Sequence, residues 1–183
     1  MSSNTPDSVI KRVDDWLVNV VIGLNLCPFA KKPYKQKQIH LEICDASSEQ
    51  DLLTALEQHI SWLEKTDEAK VETSILILTQ SLDDFYDYND FLDLADALID
   101  QNQWRGIFQI ASFHPDYQFG GTQPDDQENL TNRSPYPLLH ILRETSLDKA
   151  VASHPNVDLI PEQNIIKMNQ LSKQQVAELF TYL

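Results

Sequence analysis

Cys27, His114, Asp116, Arg133, His140 and Arg143 are the side chains of this sequence whose types and neighbours suit chemistry. His114 follows an apolar run and opens the triplet His114-Pro115-Asp116. An imidazole there can act as a general acid or base, with Asp116 as its partner or as co-holder of a ligand. The ordinary alternative is a histidine whose ring bonds a nearby carbonyl. Arg133 precedes Ser134-Pro135, which has the form of a helix N-cap followed by proline at the first helical position. Backbone N–H groups at a helix start favour an anion, and Arg133 would add to them. On that expected helix, running to about Glu144, His140 and Arg143 stand three apart, hence on one face, with Glu144 four from His140. A salt bridge beside a buried histidine is the plain alternative for this set.

Cys27 reads three ways. It is a small buried hydrophobe, a nucleophile served by a distant histidine, or a thiolate ligand of a metal or haem. It follows an expected helix C-terminus, which raises a thiol pKa, while Lys31 and Lys32 pull the other way. Gly120-Gly121 permits a positive-φ turn or a close approach of backbone to ligand. The expected catalytic set is therefore His114, Asp116, Cys27 and His140. Asn132, Arg133, Arg143, Gly120 and Gly121 are the expected ligand-binding set. No metal site is expected: there is no HExxH and no paired CxxC, so metal ligands would have to be assembled from distant positions. The cofactor is left unspecified.

These residues need elements to position them. Val9, Val13, Trp16, Leu17, Val20, Val21 and Leu24 recur at helical spacing, which predicts an amphipathic helix over about 7–24 with Gly23 near its end. Ile39, Leu41 and Ile43 alternate with polar neighbours as in a half-buried strand. Ser48 and Asp51 have capping-box spacing before a helix carried by Leu52, Leu56, Ile60 and Leu63. Thr73–Thr79 is apolar on both faces, the mark of a strand covered on both sides. Ser81 and Asp84 repeat the cap before a helix through Phe85, Leu92 and Ile99. Ile107–Phe113 is the next strand. Short helices are expected from Ser146, from about Pro161, and after a Ser172/Gln175 cap.

Helical connectors between strands favour parallel pairing. The fold class is α/β: a small, mainly parallel sheet of three or more strands packed with helices, with a ferredoxin-like or mixed sheet as the alternative. Residues 1–183 read as one domain. If the strands are parallel, Asp45, Gln80 and the His114 triplet share the rim at their carboxyl ends, where ligands gather in such sheets. The stretch from Pro115 to Arg133 is long for a connection without periodicity, and such loops are functional or disordered.

Composition narrows the class. The net charge is −14, and 42% of residues are apolar, a globular proportion. Between Asp45 and Trp104 fifteen acids face two bases, so the acidity belongs to the middle helices. So acidic a chain is a poor partner for nucleic acid, whose binding depends on neutralising phosphates. No apolar run is long enough to span a bilayer, and no export signal is visible. A cytoplasmic protein without membrane contact is expected, with Cys27 and Cys44 as thiols. The oligomeric state is open.

Four stretches carry a resemblance: VVIGLNLCPFAKK (20–32), DYNDFLDLADALI (87–99), FQIASFHPDYQFGGT (108–122) and NRSPYPLLHILRE (132–144). Together they resemble a bacterial protein family of unknown function, number 1415, over nearly the whole chain. The resemblance implies a single-domain bacterial protein and no activity or cofactor. From the residues, the leading expectation is an enzyme-type pocket for a small polar or anionic metabolite. In it Arg133 and Arg143 hold the anion and His114 with Asp116 moves protons. A metal- or haem-binding module and an acidic protein-interaction domain are the rivals.

Overall fold

The computed structural model describes residues 5–183; the first four residues of the segment read for an export signal lie outside it. Helix α1 (Pro6–Trp16) starts on Thr5, whose side chain accepts from the Ser8 N–H, with Pro6 at the first helical position. The helix does not stop at Trp16 but widens into a π-helical segment, Leu17–Ile22. Gly23 closes it where a Cβ would stand 2.3 Å from the Asn19 carbonyl oxygen, so only glycine fits. A turn through Pro28 leads to the short α2 (Lys31–Lys35).

Then come β1 (Ile39–Cys44), α3 (Glu49–Lys65), β2 (Thr73–Leu78), α4 (Phe85–Gln101) and β3 (Phe108–Phe113). Ser48 caps α3 by accepting from the Asp51 N–H. The cap of α4 is Asp84 itself, accepting from Tyr86 and Asp87, rather than the expected Ser81. Every residue of β2 is buried, which accounts for its unbroken apolar run.

Leu138–Arg143, expected as helix, is instead strand β4. Leu138 to Leu142 is a short apolar run, and such a run fits a buried strand as well as a helical face. Pro135 and Pro137 decide between them, because each pushes the residue before it towards extended backbone. The strand enters the sheet between β2 and β3, giving the order β1-β2-β4-β3. β1 and β2 are parallel, while β4 is antiparallel to both neighbours. The sheet is thus mixed rather than mainly parallel. A single inserted strand removes the β2–β3 pairing without changing the direction of β1, β2 and β3. Asp45, Gln80 and His114 therefore do follow the same rim.

The rest of the chain is helical: α5 (Glu144–Ser153), α6 (Ile160–Asn169) and α7 (Lys173–Leu179), the last with a complete Ser172/Gln175 capping box. Helices α3 and α4 cover one face of the sheet around Leu76, Leu78, Leu139 and Ile141. The α1–π helix, with Met168 of α6 and Phe180 after α7, covers the other face around Ile75, Ile77 and Leu138. Alternate residues of β2 and β4 thus face different layers.

Candidate functional site

The nine expected site residues fall into separate places. Six of them, His114, Asp116, Gly120, Gly121, Asn132 and Arg133, belong to the rim loop after β3.

His114 is fully buried. The Asp116 N–H donates to its Nδ1 at 3.0 Å, so Nε2 carries the proton and donates to the Leu82 carbonyl, also at 3.0 Å. Both ring nitrogens are spent, and burial lowers the pKa of the imidazole. Asp116 serves through its backbone, with its side chain exposed. The carbonyl held by His114 belongs to a residue with φ +59°, a left-handed conformation that a leucine adopts only when neighbours hold it. His114 is what fixes that turn between β2 and α4.

Asn132 and Arg133 fold back alongside the end of β3. The Asn132 amide donates to the Ser112 carbonyl, and the His114 N–H donates to the Asn132 carbonyl. Arg133 donates to the carbonyls of Tyr117 and Pro124 and so spans the loop. It does not precede a helix, because none starts there. Gly121, at φ +86° with open space around it, makes the turn its partner Gly120 leads into. Asn129, not singled out from sequence, is the organiser. It is fully buried; its Oδ1 accepts from the Phe119 N–H and the Thr122 hydroxyl, and its Nδ2 donates to Gln123.

Arg143 borders the hollow that Cys27 and His140 line, but its guanidinium is engaged elsewhere. Three residues along a strand reverse the facing, so His140 and Arg143 point to opposite faces of the sheet. The guanidinium lies over the Phe108 ring and donates to the carbonyls of Leu63, Thr66 and Val71. It closes the C-terminal end of α3, where free carbonyls and the helix dipole favour a cation.

Cys27 and His140 share a space. Both line a hollow of about 160 Å³ enclosed by the α1–π helix, the turn at Cys27–Pro33, the sheet and α5. Trp16, Leu17, Val21, Phe113 and Leu147 make its walls largely apolar. His140 projects from the middle of β4. Its Nε2 lies 2.7 Å from the Thr73 hydroxyl, which itself donates to the Ile141 carbonyl at 2.7 Å. One hydroxyl has one proton, and a carbonyl can only accept, so Nε2–H donates to Thr73 and Nδ1 is left as a bare acceptor. Burial brings the His140 pKa down to about 4. Burial also raises the Cys27 thiol, against the pull of the Phe29 and Ala30 backbone N–H groups rather than that of the neighbouring lysines. At neutral pH the pair is a thiol and a neutral imidazole.

Thr73 was not legible as a site residue, and neither was its neighbour. Ser74 points to the opposite face, where its hydroxyl meets His59 Nε2 at 2.7 Å. His59 and Trp62 of α3 lie together with His40 of β1, and burial, then His40, lowers the His59 pKa to about 4. Adjacent hydroxyls on β2 thus anchor one histidine on each face of the sheet. Among the described residues no group of three or more His, Cys, Asp or Glu side chains is placed to hold a metal ion.

The chain belongs to the family described as Protein of unknown function (DUF1415). The match spans residues 8–178 and so takes in Cys27, Thr73, His114 and His140. No curated protein and no solved structure matches the chain. No helix among the described residues is long and apolar enough to cross a membrane.

Proposed function

We propose that this protein binds a small metabolite in an enzyme-type pocket, and that the pocket is the hollow under α1. The observation that carries the reading is the placement of Cys27 and His140 on one hollow. Residues distant in sequence bring a thiol and an imidazole with a free Nδ1 into one mainly apolar space. Cys27 is the nucleophile of this reading and His140 its base, with Thr73 holding the imidazole in the tautomer that leaves Nδ1 open. Both groups rest neutral, so the thiol is activated as it reacts rather than stored as a thiolate. The hollow is smaller than the roughly 300–1,000 Å³ typical of sites for drug-sized ligands, which restricts the buried part of the ligand to a small apolar body. In this reading His114, Asp116, Asn132, Arg133, Gly120 and Gly121 hold the rim loop, and Arg143 holds the end of α3.

Ala111 lines the hollow and offers a direct test. Ala111→Leu should fill the space without adding a polar group. Small apolar acids, amines and amides that raise the melting temperature of the wild type should leave the variant unmoved. Compounds that stabilise both proteins alike would place their site elsewhere and remove the proposal. In parallel, maleimide alkylation of Cys27 should slow in His140→Gln, while that of Cys44 stays the same.

A further inference from the structure

The hollow has a polar antechamber. Phe29, Pro33, Glu72, Ser146 and Ala150 line both it and a basin of about 600 Å³ at the rim where β1 and β2 begin. The basin carries two acids and two lysines. Lys149 and Glu68 are paired with each other at 3.3 Å. The side chains of Glu72 and Lys32 have no hydrogen-bond or ion-pair partner among the described residues. Glu72 is half-buried on the wall common to both spaces, whereas Lys32 is exposed at the basin.

A second acceptor beside Glu72 also lacks a donor. Gln38 donates through Nε2 to the Ala69 carbonyl at 2.8 Å, which fixes the orientation of its amide. Its Oε1 is buried without a hydrogen bond. A buried acceptor without a donor is costly. The bare Nδ1 of His140 adds a third acceptor on the hollow side. From basin to hollow, then, the wall offers the Glu72 carboxylate and His140 Nδ1, and the basin also carries the ammonium of Lys32, unpaired among the described residues.

We propose that the site takes a zwitterion with an apolar tail, of the α-amino acid class. The ligand ammonium, with three donors and no acceptor, sits at the Glu72 carboxylate. Its carboxylate meets Lys32, and its apolar side chain enters the hollow towards Cys27 and His140. This rests on the hollow being the ligand site. Among the described residues of the basin, the unpaired acid and the unpaired lysine match both charges of the ligand, and the apolar walls match its tail.

Calorimetric titration of the whole chain at neutral pH with leucine, isocaproate and isoamylamine separates the contributions. Isocaproate lacks the ammonium, and isoamylamine lacks the carboxylate. Leucine should bind at least about tenfold more tightly than either. Glu72→Gln should weaken leucine about tenfold and leave isocaproate unchanged; Lys32→Ala should weaken leucine and leave isoamylamine unchanged. If isocaproate or isoamylamine binds as tightly as leucine and Ala111→Leu abolishes it, the pocket stands and the zwitterion fails. Leucine binding that survives Ala111→Leu overturns both. Failure of all three compounds to bind overturns the amino acid assignment.

Discussion

His114 and His140 look alike in the sequence, and the structure makes them opposites. Each is a histidine on or just beyond a strand, held by an oxygen at Nε2. At His114 the other nitrogen is taken by the Asp116 N–H, and the ring is sealed among Phe85 and Tyr88. At His140 the other nitrogen is bare and the ring borders a hollow that also holds Cys27. The rim loop is dense with bonds: Asn129 and Arg133 spend their donors on its own carbonyls, and Asn132 spends its amide on the end of β3. The hollow keeps groups without partners. Residue type alone does not distinguish a histidine with both ring nitrogens filled from one with a nitrogen left open; the hydrogen-bonding partners do.

The largest effect should come from breaking the closed region. His114→Ala removes a buried ring and leaves the Leu82 carbonyl and the Asp116 N–H without partners, one of them at a left-handed leucine. A loss of about 3–4 kcal/mol in urea unfolding is expected. Cys27 alkylation in the folded variant should be unchanged. A large change in that rate would join the two regions and spoil the contrast.

Acid comes next. Unfolded, an imidazole takes up its proton near pH 6.5; folded, His140 holds off to about 4. Across that window the unfolded chain binds more protons, so stability is full above about 6.5, falls as pH drops to about 4, and then levels. His140 alone accounts for up to about 3 kcal/mol of this loss. His59, also near 4, acts in the same direction. In His140→Gln the stability–pH curve should be visibly flatter over the same range. An equally steep curve would show that His140 is not held neutral.

Thr73→Val should be milder, about 1–2 kcal/mol, because it leaves His140 Nε2 and the Ile141 carbonyl without the bridging hydroxyl. Nitrogen chemical shifts of His140 would show the proton no longer confined to Nε2, and Cys27 alkylation would slow as in His140→Gln. If the tautomer is unaltered, Thr73 has no positioning role. Smallest is Gly121→Ala: the φ of +86° costs about 1 kcal/mol for a residue with a Cβ, while the surrounding space is open. A melting shift confined to about 2–4 °C with unchanged ligand binding would keep the loop and the hollow independent.

Much of the scaffold was readable in the amino-acid order because local rules set it. Period-2 alternation marked β1, unbroken apolarity marked β2, and side-chain oxygens marked the starts of α3 and α7. The rim shared by Asp45, Gln80 and His114 followed from strand direction alone. Arg143 was out of reach for one local reason: β4 read as a helix put it beside His140, whereas a strand turned it to the other face. The tertiary structure alone decided the rest. It inserted β4 between β2 and β3, sealed His114 against Leu82, and set Cys27, Thr73 and His140 around one space. Patterns of apolarity and capping act over a few residues, so sequence carries them openly. Whether a ring nitrogen keeps a free valence depends on what folds against it from far along the chain, and only packing settles that.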